Sequence, residues 1–256
     1  MRINKFLAQA GIASRRKVDD LIEEGKVTVN GKKATLGQEV KQSDDVLVNG
    51  QPITTPQPPT YIILNKPKGV TSTVYDPHAR RTVMDLVKYS SSDSEKSKND
   101  SSHIRSNNNT RLFPVGRLDE DSTGLILLTN DGELANRLTH PKFHIPKTYE
   151  VTILGEVSQI HIGKMESGIF LEEGKTAPAK VEIAYKSAHR TILNITIFEG
   201  KKRQIRRMTA SLHLHILGLK RLSIGPISLG NLPSGKFRNL KAGELKALKS
   251  AAKLLN

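Results

Sequence analysis

The 256-residue chain contains no cysteine, so it can form neither a disulfide nor a thiolate metal site, which suits a reducing compartment. It has no apolar run approaching the roughly 18 to 20 residues that a bilayer-spanning helix needs. The opening MRINKFLAQAG lacks the apolar stretch and cleavage site of a secretory signal. Metal ligands are sparse too: His140 and His144 stand close in sequence, but no third ligand follows at a characteristic spacing, and no metal is expected. Acidic residues are in deficit, 25 against 40 Lys+Arg, and the formal charge is +15. That excess points to a polyanionic partner, nucleic acid ahead of an anionic membrane. What remains, 36% hydrophobic and 25% charged residues, permits a soluble globular enzyme, and the expected compartment is the cytoplasm.

Local patterns divide the chain. Ile3, Phe6, Leu7 and Ala10 share one helical face, and Gly11 should end that helix. Ser14 can cap a second helix, Arg15 to Glu24, with Val18, Leu21 and Ile22 inward. Strands Val27 to Val29 and Val46 to Val48 each lead into an Asn-Gly pair, the preferred chemistry of a tight hairpin. The stretch PITTPQPPT favours an extended connection, which sets a first domain at 1–50 and a linker at 51–60. From 61 to 245, strand-like YIILNKP, LILLT, TYEVTIL, KVEIAY and TILNITIF are interspersed with helical ELANRL and RQIRRMTASL. This order predicts an α+β domain on a largely antiparallel sheet with flanking helices. Residues 90–110, SSSDSEKSKNDSSHIRSNNNT, carry almost no apolar side chains and are expected to be a mobile surface insertion. The pattern GELKALKSAAKLL predicts a terminal helix, assigned to 246–256.

The segment MRINKFLAQAGIASRRKVDDLIEEGKVTVNGKKA resembles the S4 RNA-binding domain over about the first fifty residues. Charge alone would read Arg15, Arg16 and Lys17 as a solvated helix face balanced by Asp19, Asp20, Glu23 and Glu24. The resemblance instead implies that these three, with Lys32 and Lys33, dock RNA through its phosphates without reading bases. From about Tyr61 to Leu240 the chain resembles the ribosomal RNA pseudouridine synthases that carry an S4 domain. Four blocks carry the likeness: LNKPKGVTSTVYDP, FPVGRLDEDSTGLILLTNDGELANRLTHP, KTYEV and EGKKRQIRRM. The family's catalytic Asp follows Gly-Arg-Leu, which implies Asp119 as the nucleophile. Judged alone, Asp119 reads as a loop or cap residue.

The implied reaction breaks the N1–C1′ bond of uridine, turns the uracil and rejoins it through C5. No oxidation state changes and no cofactor is expected. A carboxylate beside C1′ can attack it or stabilise positive charge there, as carboxylates do in glycosidases. Burial would oppose that charge, so a guanidinium partner is expected; the resemblance places it in Gln-Ile-Arg, at Arg206, though the residues alone also fit a phosphate contact within the cluster Lys201, Lys202, Arg203, Arg206 and Arg207. Tyr149 would by itself be a strand core aromatic; the resemblance makes it the ring on which the base stacks, with a hydroxyl that could help move the C5 proton. Arg117 is a candidate RNA contact or salt-bridge residue. His213, His215 and Gly218 depart from the family's usual residues, which leaves the reaction class intact and target choice open. The expectation is a monomeric enzyme on large-subunit ribosomal RNA. Its alternatives are small-subunit RNA as substrate, a non-catalytic ribosome-assembly factor, and a nuclease, the last opposed by the lack of a two-metal carboxylate pattern.

Overall fold

The computed structural model describes residues 1–41, 43–53, 58–92 and 111–255, and they gather into two compact units. Met1–Pro59 carries the first, and the second is built mainly from Thr60 onward. No described helix is long and apolar enough to cross a membrane.

In the first unit, α1 (Ile3–Gln9) and α2 (Arg15–Glu23) bury Ile3, Phe6, Leu7, Val18 and Ile22. The Ser14 hydroxyl accepts the Lys17 amide at 3.2 Å, the expected cap, which satisfies one of the free N–H groups at the start of α2. The helices share a core with β1 (Val27–Val29), β2 (Lys32–Lys33), β3 (Val46–Val48) and β4 (Gln51–Pro52), a sheet in the order β2-β1-β3-β4. Asn30-Gly31 and Asn49-Gly50 all have positive φ, the backbone that a two-residue hairpin turn requires. The second turn closes a real hairpin, so the sheet extends past the boundary expected at 50: Gln51 and Pro52 pair with β3, and Ile53 packs on the core. The rest of the expected linker, at 54–57, lies outside the described residues.

The second unit comprises, in chain order, β5 (Tyr61–Lys66), α3 (Val83–Ser92), β6 (Phe113–Val115), β7 (Thr123–Thr129), α4 (Gly132–Thr139), β8 (Lys147–Leu154), α5 (Gln159–Ser167), β9 (Phe170–Leu171), β10 (Gly174–Lys175), β11 (Lys180–Lys186), β12 (Arg190–Ile197), α6 (Gln204–Ser211), β13 (Ile216–Ile224), β14 (Ile227–Ser228), β15 (Phe237–Asn239) and α7 (Ala242–Ala251). The main sheet runs β11-β12-β8-β13-β7-β5-β15, with β14 on β13 and β6 on β7. Every pairing is antiparallel except β13 with β7, so the largely antiparallel α+β expectation holds. Both faces are covered. Ile62, Leu64, Ile126 and Leu128 share one core with residues of α3, α5 and α6, while Ile63, Leu125 and Leu127 share another with residues of α4 and α7. This is why β5 and β7 read as continuous apolar runs.

The expected mobile insertion begins inside α3, which ends at Ser92; residues 93–110 lie outside the described residues. The terminal helix starts at Ala242, not 246, and it belongs to the second core of the second unit through Leu248 and Ala252. At the parallel junction Gly124 faces Arg221, with φ +101, and a Cβ there would meet the Arg221 carbonyl oxygen at 2.3 Å. Only glycine lets the two backbones come this close.

Candidate active site

Asp119 stands in the loop between β6 and β7, and a second loop fixes that backbone. Ser72 Oγ donates to the Leu118 carbonyl at 2.9 Å and accepts the Leu118 amide at 3.1 Å, substituting for a strand partner. The Gly69 amide donates to the Glu120 carbonyl at 2.9 Å. Lys66, fully buried at the end of β5, donates to the carbonyls of Val70 at 2.7 Å, Pro67 at 3.0 Å and Glu120 at 3.3 Å. Burial pushes its ammonium down to about 8, against the opposing pull of Glu120, Asp121 and Asp119. The Asp119 carbonyl accepts the Ser122 amide at 3.0 Å, closing the turn.

The cations come from α6. Arg203, just before its first residue, holds a left-handed backbone (φ 49), an unusual conformation for a side chain of this size. From there Arg203 Nη1 reaches Asp119 Oδ2 at 3.2 Å and Asp121 Oδ1 at 3.8 Å. Arg206 lies one turn on, with Nε 3.8 Å from Asp119 Oδ2 and Nη2 3.0 Å from Asp121 Oδ2; Nη2 also donates to Ser122 Oγ at 3.2 Å. The Arg206 side chain is only 17% exposed and that of Asp119 34%, so this pairing is less screened by water than one on open surface. Gln204 fixes the start of the helix, buried between Glu199 (Nε2 to Oε1, 2.8 Å) and the Lys201 amide, which it accepts at 3.1 Å.

Asp119 lines a cavity of about 620 Å³ that Tyr149, Arg117, Lys201, Lys202 and Arg203 also line. Tyr149 is buried on β8, and its hydroxyl accepts a long hydrogen bond, 3.4 Å, from Arg221 Nη1 on β13. Two residues before Tyr149, and so on the same face of the strand, Lys147 reaches the cavity; burial first and the Arg221 charge second push it down to about 8.

Residues 60–211 match the family model described as RNA pseudouridylate synthase, and residues 1–46 match the S4 domain. The chain belongs to the RNA pseudouridylate synthase family. This synthase is 42% identical to ribosomal large subunit pseudouridine synthase B of Bacillus subtilis, over 98% of its own length and 96% of that protein. It is also 42% identical to an uncharacterized RNA pseudouridine synthase of Aquifex aeolicus, over 99% and 96% of the two chains. A crystal structure of a pseudouridylate synthase superposes with a TM-score of 0.65 at 30% identity, covering 97% of this chain and 99% of that one.

Asp119 and Tyr149 line one cavity, and of the two neighbouring arginines it is Arg206 that pairs with Asp119, though it does not itself line that cavity. Arg207 turns to Glu173, with Nη1 2.7 and 2.8 Å from the two carboxylate oxygens. Lys201 is likewise engaged, donating to the Lys175 carbonyl at 2.9 Å and that of Gly174 at 3.3 Å. Arg117 and Lys202 are exposed where they line the cavity, and no described carboxylate pairs with Arg117. In the S4 unit Arg15, Arg16, Lys17, Lys32 and Lys33 are all exposed. Lys33 lies against Gly25 beyond the last turn of α2, whereas Arg15 to Lys17 open that helix, a separation of roughly 14 Å along its axis. His140 caps the turn Pro141–Phe143 by accepting the Lys142 amide at 3.3 Å. Sequence reasoning missed Lys66, Ser72, Lys147 and Arg221. Lys147 alone had a legible signal, its alternation with Tyr149; Arg221 was one more basic residue in a basic chain.

Proposed function

We propose that this synthase isomerises a uridine of large-subunit ribosomal RNA in the cytoplasm, as a monomer and without a cofactor, with the first unit docking the RNA and the second performing the chemistry. The observation that carries the reading is the Asp119 carboxylate, held by Arg203 and Arg206 at the cavity that Tyr149 lines. Large-subunit RNA is taken as substrate from the name of the Bacillus subtilis relative.

A cavity of about 620 Å³ has room for one nucleotide drawn out of its stack. Flipping it costs a few kcal/mol, which cationic contacts to flanking phosphates offset. Arg117 and Lys202 are placed for such contacts at the cavity, and Arg15, Arg16, Lys17, Lys32 and Lys33 for docking on the S4 unit. Arg203, Arg206, Lys201 and Arg207 contribute positive field around the site, the last two through side chains already tied to the protein. With the uracil against Tyr149, the sugar faces Asp119. The two guanidinium groups hold that carboxylate aimed, so it meets positive charge as it develops at C1′. Tyr149 then helps move the C5 proton.

Asp119→Asn keeps the shape of the side chain and removes its charge. It should lower the single-turnover rate roughly 10⁴-fold while RNA affinity changes little. Mapping pseudouridines across ribosomal RNA from cells carrying wild type, Asp119→Asn or no synthase reads catalysis and target together. A pseudouridine that persists in the Asp119→Asn cells and vanishes only without the gene would sink the nucleophile assignment, and a target in small-subunit RNA would correct the substrate.

A further inference from the structure

Arg221 on β13 and Lys147 on β8 line the same cavity as Asp119 and take no part in holding its carboxylate. Arg221 is 3% exposed. Its Nε donates to the Leu125 carbonyl at 2.7 Å and its Nη1 to the Tyr149 hydroxyl at 3.4 Å, but Nη2 is buried with no hydrogen-bond partner. Lys147 is half-buried and spends one of its three donors on the Ile145 carbonyl at 3.1 Å. No described carboxylate lies within ion-pairing distance of either. A guanidinium desolvated without a counter-charge is unfavourable in the resting protein, and because both Arg221 and Lys147 line the cavity, an anionic ligand there is the counter-charge within their reach.

We propose that Arg221, with Lys147 beside it, binds the uracil at the moment it separates from C1′ and carries its negative charge. This rests on the isomerase reading of the cavity. When the C1′–N1 bond breaks, its electron pair passes to N1 and spreads onto O2 and O4 of the uracil ring, while C1′ turns to the Asp119 carboxylate. The base turns, C5 forms the new bond to C1′, Asp119 is released, C5 loses its proton and N1 gains one. Atoms and charge balance without a co-reactant. The Arg221 guanidinium lies over the Tyr149 ring, 6.0 Å from its centre, with Nη1 on that ring's hydroxyl, so it stands at the same cavity wall as the ring on which the base stacks. Donors aimed at O2 and O4 bind the uracil anion more strongly than neutral uracil, so they act chiefly on the transition state. A phosphate is the poorer fit, because phosphates remain at the surface, where Arg117 and Lys202 are exposed.

The test uses leaving-group acidity. Fluorine at C5 makes the departing uracil a weaker base, so help from a cation matters less. Wild type and Arg221→Gln are compared in single turnover, at saturating RNA, on large- and small-subunit ribosomal transcripts made with uridine or 5-fluorouridine, reading loss of the N-glycoside in nuclease digests. Arg221→Gln should slow reaction of uridine about 100-fold, and of 5-fluorouridine only about 10-fold, with RNA affinity unchanged. Equal slowing on both substrates, the mark of a structural role, or no slowing on either, overturns the assignment. Should Arg221→Gln not fold, Lys147→Met carries the same comparison: a loss that shrinks with 5-fluorouridine supports the proposal, and an equal loss or none overturns it. Wild type that consumes no ribosomal uridine would bring down the isomerase reading itself, whereas an active wild type with either overturning pattern removes only this assignment.

Discussion

Gly124 shows how a single hydrogen supports the site. Its φ of +101 is one that side chains rarely adopt, and the atoms a Cβ would strike are the Arg221 carbonyl oxygen at 2.3 Å and amide nitrogen at 2.6 Å. Both belong to backbone, so no side chain can swing away to make room. Gly124→Ala is expected to cost more than about 3 kcal/mol, seen as a lower urea midpoint, because strain and a broken parallel pairing combine. Folded protein that survives should turn over slowly even at saturating RNA, since the strand that moves carries Arg221. An unchanged midpoint would mean that β7 and β13 are not held this close. Asp119, Tyr149 and Arg206 were legible in the sequence because each sits inside a contiguous motif. Lys66 and Ser72 lie inside such a block too, but like Arg221 they were not singled out because their roles depend on long-range geometry: Ser72 meets Leu118 across 46 residues, and Arg221 meets Leu125 across 96.

At the scale of elements, Lys66 joins the end of β5 to the loop that carries Asp119. Its pKa of about 8 lies below the ordinary lysine value of about 10.4. Between these values the unfolded chain binds a proton that the folded protein has released. The contribution of Lys66 to stability therefore rises with pH across that window and is flat below it, by up to about 3 kcal/mol. Lys66→Met removes the burdened charge but leaves the carbonyls of Pro67, Val70 and Glu120 without their donor, at roughly 1–3 kcal/mol each when buried. The unsatisfied carbonyls should win, leaving the variant destabilised at pH 7. Its deficit should widen from pH 8 to 10, where wild type sheds its penalty and the variant has none to shed. Denaturant titrations at several pH values give the comparison, and a deficit that stays constant or shrinks would refute the linkage. Elements with a clean period, such as α1, α2, β8 and β12, were readable from sequence alone. By contrast β13 was missed because register shifts at Ile216/Gly218 and Arg221/Ser223 break its alternation, and α5 because it buries only Ile162 and Met165 while Ile160 stays 70% exposed.

For the whole molecule, the charge of +15 has to be divided between catalysis and docking, and the two units allow this. The cavity and every residue lining it belong to the second unit, whereas Arg15, Arg16, Lys17, Lys32 and Lys33 are exposed on the first. Local pairing barely neutralises these five: Lys17 is 4.0 Å from Asp20, with both side chains largely exposed, and Arg15 donates to the uncharged Asn4 at 3.2 Å. If each displaces a counterion from one RNA phosphate, neutralising all five, arginine to glutamine and lysine to methionine, should flatten the slope of log affinity against log salt by about three to four units. The single-turnover rate at saturating RNA should stay within about twofold of wild type, because none of the five is among the residues lining the cavity. Binding titrations from low to moderate salt separate the possibilities. An unchanged slope would return these cations to a solvated face balanced by Asp19, Asp20, Glu23 and Glu24. A flattened slope with an intact rate makes the first unit a sequence-blind anchor and leaves the choice of uridine to the second.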